Sequence, residues 1–344
     1  MRKFIMAAGA ALLASIMPIA QTALAQENTL RIAVNTPNVV YGPFWVGMAN
    51  GMFEKNGVKI ELVSANALST GAAMIVSDQA DVLLTGVYQA LRIASEGKKL
   101  SYIFNVSDMS ARFNGFISKP EIKSIEDLKA KGENCRIMTL LAGTASWAIL
   151  QGIVEEHGIK CRISTAGTIP NVVAAALSGQ FDAAMVNAQD AYAARDAGRA
   201  NILIDPATIP QAEADAYYPN KHPFVVAIGL KDNLEAKRPA VEAFIKTMRE
   251  AFVLIEESSS DQLGTMMSTE LSSVFQSTPA ASLALGWKLQ EGVFPQGDKA
   301  GYISEDGWNA AMAAASKLWG FANLDTKAEN VSYSQVVDMS FFKD

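Results

Sequence analysis

The sequence predicts an α/β protein built of two similar lobes, and two observations carry this prediction. Residues 42–98 align without a gap onto residues 143–199, and twelve of the 57 pairs are identical. Within each copy, short β-rich runs alternate with stretches of helical periodicity. This alternation indicates Rossmann-like lobes, each with a parallel sheet and right-handed crossovers. Two facing lobes form a cleft, and clefts of this kind bind small molecules.

The strands of each copy are predicted from its apolar runs. In the first copy these runs lie near 29–35, 58–63 and 80–85, and in the second copy near 134–140, 159–164 and 181–186. Ligands of such sheets bind at the carboxyl ends of the strands, where the loops open.

The N-terminus has the pattern of a secretory signal peptide. Arg2 and Lys3 precede an apolar stretch over 4–19, and a small-residue cleavage site ends at Ala25. Pro18 interrupts the stretch, which is shorter than the roughly 20 residues of a membrane span. No Cys follows to carry a lipid anchor. We therefore expect an exported protein cleaved after Ala25.

Charge and composition narrow the classes of partner. The formal net charge is −6, and removal of the two signal-peptide cations leaves −8. Nucleic acids and anionic membranes require basic patches, so this balance argues against both. A charged fraction of 19 % with 50 % hydrophobic residues indicates a packed globular body, which we expect to be monomeric.

The chain contains two cysteines, Cys135 and Cys161. By the repeat alignment each lies near the start of one of two successive strands, which would be neighbours in a parallel sheet. In an exported protein this placement favours a disulfide. Two buried free thiols are the alternative.

The order of segments predicts how the chain passes between the lobes. After the signal peptide over 1–25, the first part of lobe 1 is expected over 26–115 and lobe 2 over 116–222, with 223–344 returning to lobe 1 as C-terminal helices. Extended runs at 113–118 and 223–228 would be the two crossings. Two crossings make a hinge.

Signals for catalysis are weak, so binding is the better interpretation. The two histidines, His157 and His222, occur at a predicted turn and at the second crossing, where structural roles are expected. No metalloprotease, nucleophile-elbow, Cys-x-x-Cys or phosphate-loop motif is present. We expect no enzyme activity, no cofactor and no metal.

A small, hydroxyl-rich turn in the second copy is the strongest candidate site. It runs from Gly143 to Trp147, and the hydroxyls of Thr144 and Ser146 would gather at a helix N-terminus that favours an anion or a carbonyl acceptor. An ordinary helix cap without a ligand is the alternative.

Other candidates come from the remaining loops at the same predicted edge. Tyr41, Phe44 and Trp45 would form an aromatic wall in lobe 1, unless they pack in the core. Asp190 would either neutralise an amine or cap a helix, and Arg112 would pair with an anionic ligand or have a structural role. The other expected ligand contacts are Ser69, Thr70, Thr85, Tyr88 and Asn187.

Motifs spread over nearly the whole predicted mature chain resemble the periplasmic solute-binding proteins of nitrate, sulfonate, taurine and thiamine-precursor ABC importers. These motifs are YGPFW at 41–45, GMFEKNGV at 51–58, SIEDLK at 124–129, ALSGQFDA at 176–183 and RPAVEAF at 238–244. The resemblance implies a type II periplasmic binding protein fold with a two-crossing hinge. It also implies a periplasmic location, a small-molecule solute, and an ABC permease with its ATPase as partners.

The resemblance also implies roles for individual residues. Thr144 and Ser146 fall in the helix-start loop that these proteins use to bind an oxyanion, and Trp147 matches a position often held by a ring. Where many relatives have Trp-x-Pro, this chain has Asn-Ala-Gln at 187–189. The expected cleft combines the rings of Tyr41, Trp45, Tyr88 and Trp147 with hydroxyls and one possible carboxylate. We therefore hypothesise an organic solute with an aromatic or heterocyclic body and one polar or anionic end.

Two alternative functions remain open. A periplasmic ligand-sensing protein would use the same cleft without transport. A thiamine-pyrimidine synthase-like enzyme shares the fold but depends on an active-site histidine and a cysteine-rich iron-binding motif, neither of which is seen here.

Overall fold

A computed structural model describes residues 28–34, 37–64, 68–217, 221–275, 278–321 and 331–343. The predicted signal peptide and its cleavage site after Ala25 lie outside these ranges. Over the part of the chain that the structure describes, no helix has both the length and the apolar character needed to cross a membrane.

Ten strands make up two five-stranded sheets within the described ranges. The strands are β1 (Thr29–Val34), β2 (Lys59–Ser64), β3 (Val82–Gly86), β4 (Leu100–Asp108), β5 (Asn114–Ser118), β6 (Arg136–Leu140), β7 (Arg162–Ala166), β8 (Ala183–Asn187), β9 (Asn201–Ile204) and β10 (Pro223–Leu230). One sheet has the order β2-β1-β3-β10-β4 and belongs to lobe 1; the other has the order β7-β6-β8-β5-β9 and belongs to lobe 2.

The helices that surround the sheets are of two kinds. Those that precede β10 in the chain are α1 (Gly42–Ala49), α2 (Met52–Lys55), α3 (Leu68–Val76), α4 (Val87–Ser95), α5 (Ile125–Ala130), α6 (Ala145–His157), α7 (Ile169–Leu177), α8 (Ala188–Asp196) and α9 (Gln211–Tyr217). Those of the C-terminal part are α10 (Lys231–Ala236), α11 (Arg238–Glu257), α12 (Ser260–Glu270), α13 (Ser272–Phe275), α14 (Ala280–Leu289), α15 (Glu305–Phe321) and α16 (Tyr333–Val336).

The α/β fold class is confirmed, and the expectation of purely parallel sheets needs a correction. The repeat strands β1, β2 and β3 are parallel, as are β6, β7 and β8. However, β10 runs antiparallel between β3 and β4, and β5 runs antiparallel between β8 and β9. The physical reason is that each crossing strand enters its sheet from the cleft edge, where the repeat strands end.

Helix α11 is amphipathic. Its inner face is buried at Val241, Phe244, Ile245, Met248 and Phe252. The ring of Phe244 stacks on that of Phe53 with centroids 5.6 Å apart. This packing attaches the C-terminal helices to the first repeat of lobe 1.

The predicted disulfide between Cys135 and Cys161 is present, with the two Cα atoms 4.7 Å apart. The cysteines directly precede β6 and β7, and the parallel register pairs Arg136 with Arg162. Parallel pairing therefore brings the two positions together. Closing a loop of this length stabilises the fold by about 3–4 kcal/mol in the chain-entropy model.

The motif S-x-Q-x-D occurs at 77–81 and again at 178–182. Its aspartate forms hydrogen bonds at the edge of each sheet that lies away from the cleft. Asp81 Oδ2 accepts the backbone N–H of Arg31 at 2.8 Å, and Asp182 Oδ2 accepts that of Arg136 at 2.9 Å. Both carboxylates are buried at the start of the third strand of their repeat. The same residue thus joins the first and third strands in both copies.

The carboxylate of Asp81 is also paired with cations. It forms salt bridges with Arg31 Nη2 at 2.6 Å and with Lys237 Nζ at 2.8 Å. Burial alone would raise the pKa of Asp81, but the hydrogen bonds from Arg31 and Lys237 outweigh burial and hold this pKa below its usual range.

We expect Asp81→Asn to lower the free energy of unfolding at pH 7 by about 3 kcal/mol, because the cations lose a buried anionic partner. Stability from a carboxylate with a lowered pKa is present above about pH 4 and is lost below it. The difference in the free energy of unfolding between wild type and variant, measured by urea denaturation, should therefore become smaller as pH falls from 4 to 2. Asp298→Asn, at an exposed position, serves as the control. A stability difference for Asp81→Asn that does not depend on pH would contradict the role given to this carboxylate.

Candidate functional site

A cavity of about 140 Å³ opens between the lobes at the carboxyl ends of the repeat strands. Its lining combines aromatic rings, side-chain amides, hydroxyls and loop glycines. The lining residues are Asn38, Val40, Tyr41, Gly86, Tyr88, Gln89, Phe113, Asn114, Leu140, Gly143, Thr144, Ala145, Ser146, Gly167, Thr168, Ile169, Asn187, Phe224, Val225 and Gln290.

Strand pairing places the two crossings directly against the cavity. Asn114, the first residue of β5, pairs with Asn187, the last residue of β8. In the other lobe, Val225 of β10 pairs with Gly86 at the end of β3. All four residues line the cavity. The chain segments that connect the lobes are therefore part of the candidate site.

The two hydroxyl residues of the loop over 143–147, called the hydroxyl loop below, have different roles. Thr144 is the N-cap of α6: its Oγ1 accepts the N–H of Trp147 at 3.3 Å and donates to the carbonyl of Leu141 at 2.9 Å. The buried Ser146 Oγ instead accepts Nδ2 of Asn114 at 3.0 Å. Ser146 thus retains its own proton for donation, whereas Thr144 uses its hydroxyl in the cap.

The aromatic wall predicted for lobe 1 needs a correction. Tyr41 lines the cavity, but Phe44 and Trp45 do not. Trp45 is 1 % exposed, packs edge-on against Phe275 and donates its indole N–H to the carbonyl of Asn38 at 2.9 Å. Phe44 is fully buried beside Trp45 and Phe53. Both rings lie on the core-facing side of α1.

Trp147 also lies outside the cavity lining, although it is next to Ser146 in sequence. The side chain is 6 % exposed and belongs to a hydrophobic cluster with Leu91 and Val226 of lobe 1. Successive helical residues point about 100° apart, so neighbours on α6 face different surroundings. Trp147 therefore packs between the lobes and is not a lining residue.

Tyr88 and Thr85, two of the ligand contacts expected in lobe 1, form hydrogen bonds at or beside the cavity. The phenol of Tyr88, a lining residue, is 2.6 Å from Nε2 of the buried His222 at the return crossing. Thr85 is buried behind the cavity and donates its hydroxyl to Oε1 of Gln89 at 2.7 Å. Thr85 thus positions Gln89, which lines the cavity.

Asn187 lines the cavity, and Asp190 lies one helical turn behind it. Burial raises the pKa of Asp190 to about 6, and a hydrogen bond with the Asn187 side chain opposes part of this rise. No side chain caps α8 at Asn187. Asp190 is thus a half-buried carboxyl behind the cavity wall.

Three further predicted residues are not brought to the described lining. Thr70 is half-buried in α3, and Ser69 lies in the same helix with its side chain outside the described part. Arg112 is half-buried before β5, where its N–H donates to Ser110 Oγ at 3.2 Å. The expected ligand contacts Thr70 and Arg112 therefore lie outside the cavity lining.

Sequence reasoning missed most of the side-chain amides of the cavity. Asn187 was expected, whereas Asn38, Gln89, Asn114 and Gln290 were not. The repeat alignment offered a signal for Gln89, since it aligns with Asp190. Gln290 belongs to neither repeat, so no internal comparison could have found it.

The lining carries no charged side chain among the residues that the structure describes. It offers five amides, the hydroxyls of Thr144, Ser146 and Thr168, and the rings of Tyr41, Tyr88, Phe113 and Phe224. Each amide presents both a donor and an acceptor. The described lining therefore offers hydrogen-bond donors, hydrogen-bond acceptors and ring faces.

The histidines and cysteines have structural partners. His157 Nε2 is 2.9 Å from the phenol of Tyr217, His222 faces Tyr88, and the two cysteines are joined to each other. Across the described ranges, no group of three or more His, Cys, Asp or Glu side chains is arranged to hold a metal ion.

Comparison with solved structures defines the class of fold. The alkanesulfonate-binding protein SsuA of Xanthomonas axonopodis pv. citri, bound to MOPS, is 17 % identical with a TM-score of 0.67, over 90 % of this chain and 98 % of that one. The periplasmic nitrate-binding protein NrtA of Synechocystis PCC 6803 is 11 % identical with a TM-score of 0.70, over 92 % and 87 %. The chain thus has the two-lobed periplasmic binding protein fold.

The sequence itself identifies the family. The model of the family described as NMT1/THI5 like matches residues 38–255. The chain therefore belongs to the NMT1/THI5-like family. No curated protein matches the chain.

We expect Ser146→Ala and Thr144→Ala to separate binding from helix capping. The double variant should lose about 1–3 kcal/mol of solute affinity, with Ser146 responsible for most of the loss. Thr144→Ala should instead cost about 1 kcal/mol of stability. Calorimetric titration with a solute that stabilises the protein measures the first effect, and thermal unfolding measures the second.

Ser124→Ala is the matched control, because Ser124 caps α5 through the N–H of Asp127 at 3.1 Å and is not a lining residue. It should lower stability and leave affinity unchanged. Unchanged affinity in the Thr144/Ser146 double variant would refute the role of the loop.

The raised pKa of Asp190 predicts a stability difference that depends on pH. The fold favours the protonated carboxyl, so this contribution is present at low pH and is lost as pH rises from about 4 through about 6. Asp190→Asn stays neutral and should be more stable than wild type by about 2 kcal/mol at pH 8, with little difference at pH 4. Urea denaturation at both values, with Asp261→Asn as control, measures this; equal differences at pH 4 and 8 contradict it.

Proposed function

We propose that this protein is the periplasmic substrate-binding component of an ABC importer. In this proposal it is exported with cleavage after Ala25, acts as a monomer, and captures a small organic solute between its lobes. It then presents the closed, loaded form to a permease with its ATPase. The family membership and the fold shared with the sulfonate-binding SsuA and nitrate-binding NrtA proteins support this function.

The interlobe cavity is the observation that carries the proposal. Residues from both repeats and from both crossings line it, so a bound solute would touch every segment that moves in a hinge closure. A ligand shifts such an equilibrium only through contacts that are better in the closed state. In this proposal, Ser146 from lobe 2 and Tyr88 from lobe 1, which line the same cavity, would supply such contacts.

The chemistry of the lining supports an uncharged ring-containing solute over a bare oxyanion. The described lining offers amides and hydroxyls but no cation to pair with a sulfonate or nitrate. The volume of about 140 Å³ is of the same order as the ~150 Å³ apolar cavity that accommodates benzene. The rings of Phe113 and Phe224, with centroids 5.0 Å apart, supply an apolar surface at the hinge.

The direct test is native mass spectrometry of freshly purified protein, followed by denaturation and identification of any released small molecule. We expect a retained organic solute with a heterocyclic or aromatic ring and no net negative charge. Thermal unfolding with added solute should then show stabilisation that grows with concentration, because ligand binds only the folded state.

Thermal unfolding with nitrate, methanesulfonate and taurine in parallel with nicotinamide and uracil is the second arm. Stabilisation by the anions alone would overturn the proposed solute class and leave the binding function intact. Release of no solute, together with stabilisation by none of these compounds, would contradict the binding function itself.

A further inference from the structure

The amide of Gln290 has a buried oxygen without a partner. Gln290 lines the cavity, is 4 % exposed, and its Oε1 has no hydrogen-bond partner among the described residues. Buried polar groups in folded proteins are almost always hydrogen-bonded, so an orphan acceptor at a cavity wall indicates a partner that enters with a ligand.

Three other amides of the cavity contrast with Gln290 because their hydrogen bonds are made within the protein. Gln89 Oε1 accepts from Thr85 at 2.7 Å, and Asn38 Oδ1 accepts from the N–H of Val40 at 2.9 Å. Asn114 Nδ2 donates to Ser146 Oγ and to the carbonyl of Val186. These amides shape the wall, whereas Gln290 Oε1 is covered and has no partner within the described part of the chain, so an incoming group would meet it through a rotation of the terminal amide.

The position of Gln290 is fixed by tight packing of α14, which it follows directly. A Cβ on Gly264 of α12 would lie 2.6 Å from the carbonyl oxygen of Ala280, so the two helices pack backbone to backbone. Trp287 is buried, with its ring centroid 5.4 Å from that of Phe294. The backbone N–H of Gln290 itself bonds to the last turn of the helix. The backbone of Gln290 is thus held by a packed helix, and its side chain extends from a fixed point at the cavity wall.

Helix α14 also touches both lobes. A Cβ on Gly286 would lie 3.1 Å from Val39 of lobe 1 and 3.2 Å from Gln189 of lobe 2. Leu289 shares a hydrophobic cluster with Ala188 and Tyr192 of α8. A solute held by Gln290 would therefore contact a helix that lies between the lobes.

We propose that Gln290 is a solute-contacting residue whose Oε1 accepts a hydrogen bond from an N–H or O–H group of the ligand. This inference rests on the proposed solute-binding function and narrows the solute class. Nitrate and sulfonates present only acceptor oxygens. Such an oxygen placed against Gln290 Oε1 would form no hydrogen bond and would be repelled. A heterocycle with an N–H edge would complete the hydrogen bond.

The experiment compares matched pairs of probes that differ in the donor alone. Uracil is paired with 1,3-dimethyluracil, and nicotinamide with N,N-dimethylnicotinamide, in calorimetric titrations of wild type and of Gln290→Leu. For the pair that binds, wild type should prefer the N–H member by about tenfold or more, since one buried hydrogen bond is at stake. Gln290→Leu should lose most of that preference by weakening the N–H member alone.

Two further variants separate contact from packing. Gln290→Glu keeps an acceptor at the same place and should retain the preference at pH 8, whereas a role as donor would be lost in both variants. Gln189→Leu makes the same amide-to-apolar change beside α14 but outside the cavity lining, and it should leave the preference unchanged. Thermal unfolding verifies that each variant is folded.

The outcomes distinguish this inference from the function on which it rests. If the N–H probe binds a folded Gln290→Leu as tightly as wild type, the role of Gln290 is wrong and the binding function stands. If wild type binds nitrate or methanesulfonate and neither heterocycle pair, the proposed solute class is wrong and this inference falls with it. Binding of none of the probes, with no retained solute in native mass spectrometry, contradicts the function as a whole.

Discussion

The site depends on how two antiparallel strands enter otherwise parallel sheets. Strands β5 and β10 carry the chain from lobe to lobe, and each begins beside the carboxyl end of a repeat strand. The pairs Asn114 with Asn187 and Val225 with Gly86 follow directly from this register. Hinge and cavity are therefore built from the same residues, so a movement of one lobe changes the shape of the cavity. This is a geometric basis for coupling solute capture to closure.

The duplicated unit explains the scaffold, and its departures from symmetry explain the site. The aspartates of the repeated motif bind the first strand in both lobes at the edge away from the cavity. At the cavity edge the copies differ: Gln89 in one aligns with Asp190 in the other, and a turn with Tyr41 aligns with the hydroxyl loop. Because the two copies carry different side chains at the cleft, lobe 1 supplies the tyrosine rings of the lining and lobe 2 supplies its hydroxyl loop.

Much of the fold was predictable from sequence, because it rests on local and repeated signals. Apolar periodicity located the repeat strands, and the position of the cysteines before two neighbouring strands predicted their disulfide. The site was predictable where a residue directly follows a strand or begins a helix, as for Ser146 and Asn187. It was not where burial decides between neighbours, as for Trp45 and Trp147, which pack inward. Gln290 reaches the cavity through tertiary packing of α14, for which no local pattern exists.

The central claim is that one solute contacts both lobes and both crossings at this cavity. Hydrogen–deuterium exchange with a solute that stabilises the protein tests this claim most directly, because protection reports reduced local opening at each backbone segment. We expect simultaneous protection around Tyr88, Asn114, Ser146, Asn187 and Val225. Protection confined to one lobe, or to a surface away from these segments, would contradict it.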